Sequence, residues 1–194
     1  MNLYKAPCSI LNWDDLPRID LYLDQLLTLT EEQLEPLNTT GERLLTSSMI
    51  NNYVKQKLLP PPVKKRYTRD QHSRLVIIAT LKNVLSISEI QFLLERLDEI
   101  PGMTPEKLHR RFLIGIEVAF SRISAATWEP SEESPTRPAI HVELLDDDPQ
   151  VGTDADMLEA FDLAITAWAC RLAALRRLTG CSLPAGKAGK AGKD

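Results

Sequence analysis

Three consecutive prolines at positions 60–62 constrain the fold of this chain more than any other sequence feature. Proline lacks the amide hydrogen that a helix uses, and it disfavours helical backbone at the residue before it. A helix that precedes residue 60 must therefore end there. Thr46 or Ser47 can cap the start of such a helix, which we expect to run to about Lys57. The sequence thus predicts a short helix followed by a rigid turn.

Further helix starts are marked by their capping residues. Ser or Thr followed three residues later by Glu or Gln forms a capping box, and this pattern occurs at Thr30, Thr68 and Ser86. Pro105 marks another start, because proline costs least in the first turn of a helix. Apolar residues at helical spacing follow each start. A helix-like run covers residues 19–27, and residues 31–34 either continue it or form a second short helix. The later predicted helices cover 69–84, 86–98, 104–127 and 154–178.

These patterns predict a mainly all-α fold with a small β wing. The wing is assigned to Val63–Tyr67, a short β-compatible stretch after the prolines. Residues 129–153 are acidic and rich in proline, so a long loop is expected there, with Ala139–Leu145 as a candidate short strand. The repeated triplet AGK near the end predicts a disordered cationic tail at 181–194.

The net charge of −4 conceals a strong asymmetry along the chain. Residues 43–74 carry a balance of +7, with Asp70 as their single acidic residue. Residues 1–42 carry −6 and residues 129–168 carry −10. A compact basic block in an acidic protein predicts a site for a polyanion.

The helix before the prolines has an apolar stripe and an opposite polar face that bears amides and a lysine. Asn and Gln can bond bidentately to adenine, and Lys can contact guanine or phosphate. The cations and the tyrosine that follow can bind phosphate oxygens. Base contacts are predicted for Asn51, Asn52, Lys55 and Gln56, with Ser48 on the same face. Phosphate contacts are predicted for Lys57, Lys64, Lys65, Arg66, Tyr67 and Arg69.

The same stretch resembles the DNA-binding head of MerR regulators. In that family a tyrosine-bearing helix ends in the words GLL-P, and a wing ends in a basic residue and a tyrosine. This chain has Tyr53, then Lys57-Leu58-Leu59-Pro60, then Arg66-Tyr67. The string SSMINNYVKQKLLPPPVKKRYTRDQ resembles more closely still a bacterial domain-of-unknown-function family, eighteen-thirty-six. The resemblance covers about residues 16–100 and implies a MerR-like winged helix-turn-helix domain there.

The resemblance implies a sequence-specific transcriptional regulator that binds double-stranded DNA as a homodimer. Its recognition helix would be about 47–57, and its basic wing would be 63–67. A helical C-terminal region at 104–180 would follow, and the apolar stripe of its last helix could serve as core or as a dimer interface. Any effector ligand is left open. The alternative is a protein-interaction adaptor that uses a MerR-like head without DNA binding.

Enzyme classes find no support in the sequence. The chain contains no GxGxxG, GxxxxGK[ST] or GxSxG motif and no metal-ligand spacing, so we expect no catalytic residues, cofactor or metal. His72, His109 and His141 are scattered and are expected at the surface or rim.

The chain also lacks the signs of export and of membrane insertion. Its three cysteines, Cys8, Cys170 and Cys181, show no pairing pattern and are expected to be free thiols. No apolar run is long enough for a membrane span, and the first 30 residues do not resemble a signal peptide. We therefore expect a cytoplasmic protein without membrane contact.

Overall fold

The computed structural model describes residues 9–38, 43–125 and 155–180, and these form helices with one small antiparallel sheet. A mainly helical fold with a small β element is thereby confirmed. The predicted loop at 129–153, its candidate strand and the tail at 181–194 lie outside the described residues, as do Cys8, His141 and Cys181. The helices are α1 (Leu23–Leu34), α2 (Ser47–Lys55), α3 (Arg69–Leu81), α4 (Ile87–Glu99), α5 (Pro105–Ala125) and α6 (Ala155–Gly180), and the strands are β1 (Leu21–Tyr22) and β2 (Arg66–Tyr67).

The caps of α2, α3 and α4 form at the predicted places, whereas the cap predicted at Thr30 was wrong, because Thr30 lies inside α1 and its hydroxyl donates to the Leu26 carbonyl at 2.7 Å. The Thr46 hydroxyl accepts a hydrogen bond from the Met49 amide at 3.2 Å and starts α2. Reciprocal capping boxes at Thr68 and Ser86 start α3 and α4. Each cap satisfies amide groups that a helix start leaves unpaired. Local chemistry therefore sets the helix starts around the turn at 60–62.

The helix predicted over residues 19–27 was wrong in its first residues. Leu21–Tyr22 is the strand β1, which pairs antiparallel with Arg66–Tyr67, and helix begins only at Leu23. Ile19, predicted on the apolar face, is 73% exposed. The helix continues to Leu34, so residues 31–34 extend it. This pairing ties the segment before α1 to the stretch that follows the prolines.

A single hydrophobic core runs through both predicted regions. It joins α1–α4 with α5 and α6, and α3 is almost entirely buried at its centre. The described residues of 16–100 and of 104–180 therefore contribute to one core. Among the described helices, none combines the length and apolar character of a membrane span.

The apolar stripe of α6 is covered by the same chain. Phe161 packs against Phe112 with ring centroids 6.3 Å apart, and Trp168 packs edge-on against Phe120 at 5.9 Å. The Arg111 guanidinium donates two hydrogen bonds to the buried Asp162 carboxylate at 2.7 and 3.2 Å, which joins α5 to α6. The stripe residues from Leu158 to Leu172 are buried in the core of their own chain, while Leu178 at the end of the stripe is 51% exposed.

Cys170, also on α6, is a half-buried free thiol. Burial raises the pKa of its thiol. A raised pKa disfavours the thiolate, which is the reactive form of a cysteine.

Two histidines expected at the surface are buried in a polar network instead. The Gln33 carbonyl oxygen accepts from the Leu11 amide at 3.1 Å, so the Gln33 amide nitrogen donates to His72 Nε2 at 3.1 Å. His109 donates through Nε2 to the Leu11 carbonyl at 2.9 Å and accepts at Nδ1 from the Ser73 hydroxyl at 2.8 Å. The Gln33 amide donor requires an unprotonated Nε2 on His72, and the two histidines together hold the N-terminal segment against α1, α3 and α5.

Acid is expected to destabilise the fold through His72. Burial, and secondarily the nearby His109, lower its pKa from 6.5 to about 4. The unfolded chain binds a proton in this window while the folded chain does not, so the free energy of unfolding falls as pH drops from about 6.5 to 4. The expected loss from His72 is about 2 to 3 kcal/mol. Urea unfolding at neutral pH and near pH 4, with wild type and His72→Gln, measures it; an equal pH dependence in both proteins would contradict the assignment.

Candidate nucleic-acid interface

Helix α2 presents its polar face to solvent as the sequence predicts. Ile50 and Tyr53 are buried and fix the opposite face against the core, while Met49 and Val54 are half-buried. Burial raises the pKa of the Tyr53 hydroxyl. The exposed face consists of Ser48, Asn51, Asn52, Lys55 and Gln56. These side chains are free to approach a partner without disturbing the core.

Helix α2 ends in a left-handed turn at a lysine. Lys57 has a φ of 60°, its amide donates to the Val54 carbonyl at 3.1 Å, and the Leu58 amide donates to the Tyr53 carbonyl at 2.9 Å. This is the Schellman pattern, in which glycine is the usual left-handed residue. A lysine there costs about 1 kcal/mol relative to glycine, so the position carries a cation at the expense of backbone stability.

Side chains of α3 donate hydrogen bonds to the backbone of the proline turn. The Gln71 amide nitrogen donates to the carbonyls of Pro60 and Pro61 at 2.8 and 3.0 Å. Arg74 donates to the Leu58 carbonyl at 2.9 Å and pairs with Asp98 of α4 at 2.7 Å. These bonds satisfy carbonyls that a proline-rich turn cannot pair with its own amides. The turn is thus rigidly joined to the core helices.

A two-residue hairpin carries the next cations. Val63 and Arg66 exchange both backbone hydrogen bonds, at 2.9 and 3.0 Å, around Lys64 and Lys65. Both lysines have positive φ, 50° and 64°, as a type I′ turn requires. Asn-Gly is the favoured pair in such a turn, and strained non-glycine positions concentrate at functional sites. In the described chain, Lys57, Lys64 and Lys65 are the non-glycine residues with positive φ.

The cations of this stretch form no ion pair with the part of the chain that the structure describes. Within residues 9–38, 43–125 and 155–180, no salt bridge involves Lys55, Lys57, Lys64, Lys65 or Arg66, and all five side chains are exposed. By contrast, several arginines elsewhere form ion pairs among the described residues: Arg43, Arg74, Arg96, Arg110 and Arg111. Exposed unpaired cations at adjacent positions maintain a positive local potential.

Two predicted phosphate contacts lie elsewhere than expected. Tyr67 is only 3% exposed, and burial raises the pKa of its hydroxyl. Its ring belongs to the core because it faces inward opposite Leu21 in the strand pair. Arg69 is half-buried, with its guanidinium 5.3 Å from the centre of the Trp13 ring. The exposed interface therefore comprises the face of α2 and the cations from Lys57 to Arg66.

Sequence reasoning missed Tyr22, which the strand pair brings to the interface. Tyr22 pairs in register with Arg66, its ring is half-exposed, and the Arg66 guanidinium lies 4.8 Å from the ring centre. Arg66 also donates to the Tyr22 hydroxyl at 3.0 Å. The two residues are 44 positions apart, and a strand of two residues leaves no recognisable pattern in the sequence.

Comparison with known families places the chain in one of them. Residues 11–107, half of the chain, match the family described as domain of unknown function DUF1836, and the chain belongs to this family. The matched range runs from the N-terminal segment into the first turn of α5 and contains every residue of the interface. No curated protein and no solved structure matches the chain.

Proposed function

We propose that this protein binds double-stranded DNA and acts as a transcriptional regulator. The observation that carries the proposal is the row of exposed cations from Lys55 to Arg66, which form no ion pair with the described residues, beside the amide-bearing face of α2. A duplex offers both complements, since its phosphates attract the cations and its base edges accept amide hydrogen bonds. No enzymatic activity is part of this proposal.

The order of elements supports a MerR-like winged helix-turn-helix head as the finer proposal. A short strand precedes α1, α2 follows, and a cationic hairpin then leads into α3 and α4. In such a head α2 enters the major groove and the hairpin acts as a wing on the phosphate backbone. The firm hydrogen bonds from Gln71 and Arg74 to the intervening turn support a fixed angle between helix and wing.

The proposed contacts divide by chemistry. Asn51, Asn52, Lys55 and Gln56 contact base edges, because they share the exposed face of a helix narrow enough for the major groove. Ser48 lies at the start of the same helix, where a phosphate is favoured by the helix dipole. Phosphates are also bound by Lys57, Lys64, Lys65 and Arg66. A homodimer on a two-fold-symmetric site belongs to the same proposal.

Selection from a random pool of DNA duplexes tests the proposal. We expect wild type to enrich an inverted repeat. Four phosphate-binding cations per protomer predict that the logarithm of affinity falls with the logarithm of salt concentration at a slope of about −7 for a dimer. A slope of about −2, or no enriched sequence at any salt concentration, would contradict specific DNA binding by this surface.

A protein-interaction role is the second candidate, and one observation favours it. Phe92 on α4 is 59% exposed beside an apolar groove of about 350 Å³ between α4 and α6, lined by Leu85, Leu93, Met157 and Ala160. Exposed aromatic side chains beside apolar grooves are typical of protein contacts. If wild type binds no duplex while Phe92→Ala abolishes binding of a partner protein, the adaptor role replaces the regulator.

A further inference from the structure

We infer that Tyr22 and Arg66 form a composite site for a single backbone phosphate. This inference rests on the proposed function and adds to it a residue outside α2 and the hairpin. It assigns to Tyr22 the phosphate contact that the sequence suggested for Tyr67.

The two-strand ladder sorts these tyrosines to opposite faces. Leu21 and Tyr67 face each other and are 8% and 3% exposed, so they form the inward pair. Tyr22 and Arg66 form the next pair and are both exposed, as the alternation of side chains along a strand requires. The hydroxyl beside the wing cations is therefore that of Tyr22.

Three contacts hold the Arg66 side chain in place before any ligand arrives. Its backbone is fixed by pairing with Tyr22, its guanidinium lies over the Tyr22 ring at 4.8 Å, and its Nη2 donates to the Tyr22 hydroxyl at 3.0 Å. A free exposed arginine loses considerable side-chain entropy when it binds a phosphate. A side chain that is already ordered loses less and binds more tightly for the same contacts.

The hydrogen-bond donors that Tyr22 and Arg66 keep free match the acceptor oxygens of a phosphate. The phenol oxygen of Tyr22 accepts from Arg66, so its own O–H remains a donor, and the described residues offer it no bonded acceptor. Arg66 uses one of its guanidinium N–H groups on Tyr22 and keeps the others. A neutral hydroxyl donor and a charged guanidinium donor therefore lie side by side, and together they suit the several acceptor oxygens of one phosphate.

A double-mutant cycle on duplex binding tests the pair, with Tyr22→Phe, Arg66→Ala and the double variant in the full chain. Tyr22→Phe retains the ring and the charge, so we expect about fivefold weaker binding with an unchanged salt slope. Arg66→Ala is expected to lower the salt slope by about one per protomer. In the Arg66→Ala protein, adding Tyr22→Phe should change affinity by less than about twofold.

Tyr67→Phe is the matched control, since it removes the same hydroxyl from the inward face of the ladder, and its affinity should equal that of wild type. Thermal unfolding of Tyr22→Phe should also equal wild type, which excludes a general loss of structure. Equal binding by Tyr22→Phe and wild type, or fully additive losses in the cycle, would overturn the composite site and leave DNA binding intact. Failure of wild type to bind any duplex would overturn the proposed function and this site together.

Discussion

Replacing Lys64 with Asn and Lys65 with Gly is expected to weaken duplex binding while stabilising the fold. Each phosphate contact contributes about a fivefold gain in affinity near physiological salt. Losing two contacts therefore weakens the binding of one protomer about 30-fold, and losing four weakens the binding of a dimer about a thousandfold. The same residues occupy the left-handed positions of a two-residue hairpin, where Asn-Gly is the favoured pair. The free energy of unfolding should therefore rise by about 1 kcal/mol.

Opposite changes in binding and stability distinguish a functional role of the lysines from a structural one. Binding is measured by titration of a selected duplex at several salt concentrations, and stability by urea unfolding. Arg96→Gln/Lys107→Gln is the matched control, because it removes two exposed cations that do not belong to the interface. Its affinity should change by less than about threefold, since neither cation is assigned to a phosphate. Affinity loss of similar size in both double variants would show that net charge, rather than the hairpin, drives binding.

Features set by neighbouring residues were predictable from the sequence. The starts of α2, α3 and α4 follow from Thr46, Thr68 and Ser86, because a cap acts within four residues of its own position. The exposed face of α2 follows from helical spacing alone. The basic block was also apparent, since exposure of lysine and arginine is the rule rather than the exception.

Features set by distant pairings were not predictable. Tyr22 meets Arg66 only because two very short strands pair, and this same pairing turns Tyr67 inward. His72 and His109 are buried because Gln33, Ser73 and the backbone of Leu11 supply their partners, up to 98 residues away. Without those partners a histidine is more stable at the surface, so the sequence alone favoured the exposed position.

The role of the α6 stripe shows the same limit, because the sequence of an apolar helix face does not indicate which surface packs against it. A stripe of this length suits a dimer interface as well as a core. In the structure α6 packs against α5, α4 and α3 of its own chain, and Gly115 of α5 lies close to the Ile165 side chain of α6. An added Cβ at Gly115 would lie 3.0 Å from Ile165 Cδ1, so α5 and α6 are fitted to each other within the chain.

Phe161→Ala is therefore expected to destabilise the folded chain rather than separate subunits. Phe161 is fully buried against Phe112, and loss of a buried phenylalanine costs about 3 to 5 kcal/mol. Leu163→Ala is the matched control on the same helix, since Leu163 is 45% exposed and its loss should cost less than about 1 kcal/mol. Urea unfolding measures both costs, and sedimentation under native conditions should give the same assembly for both variants as for wild type.

A Phe161→Ala protein that keeps its stability but dissociates would instead make this stripe an interface between chains, and the core of each protomer would then lie elsewhere.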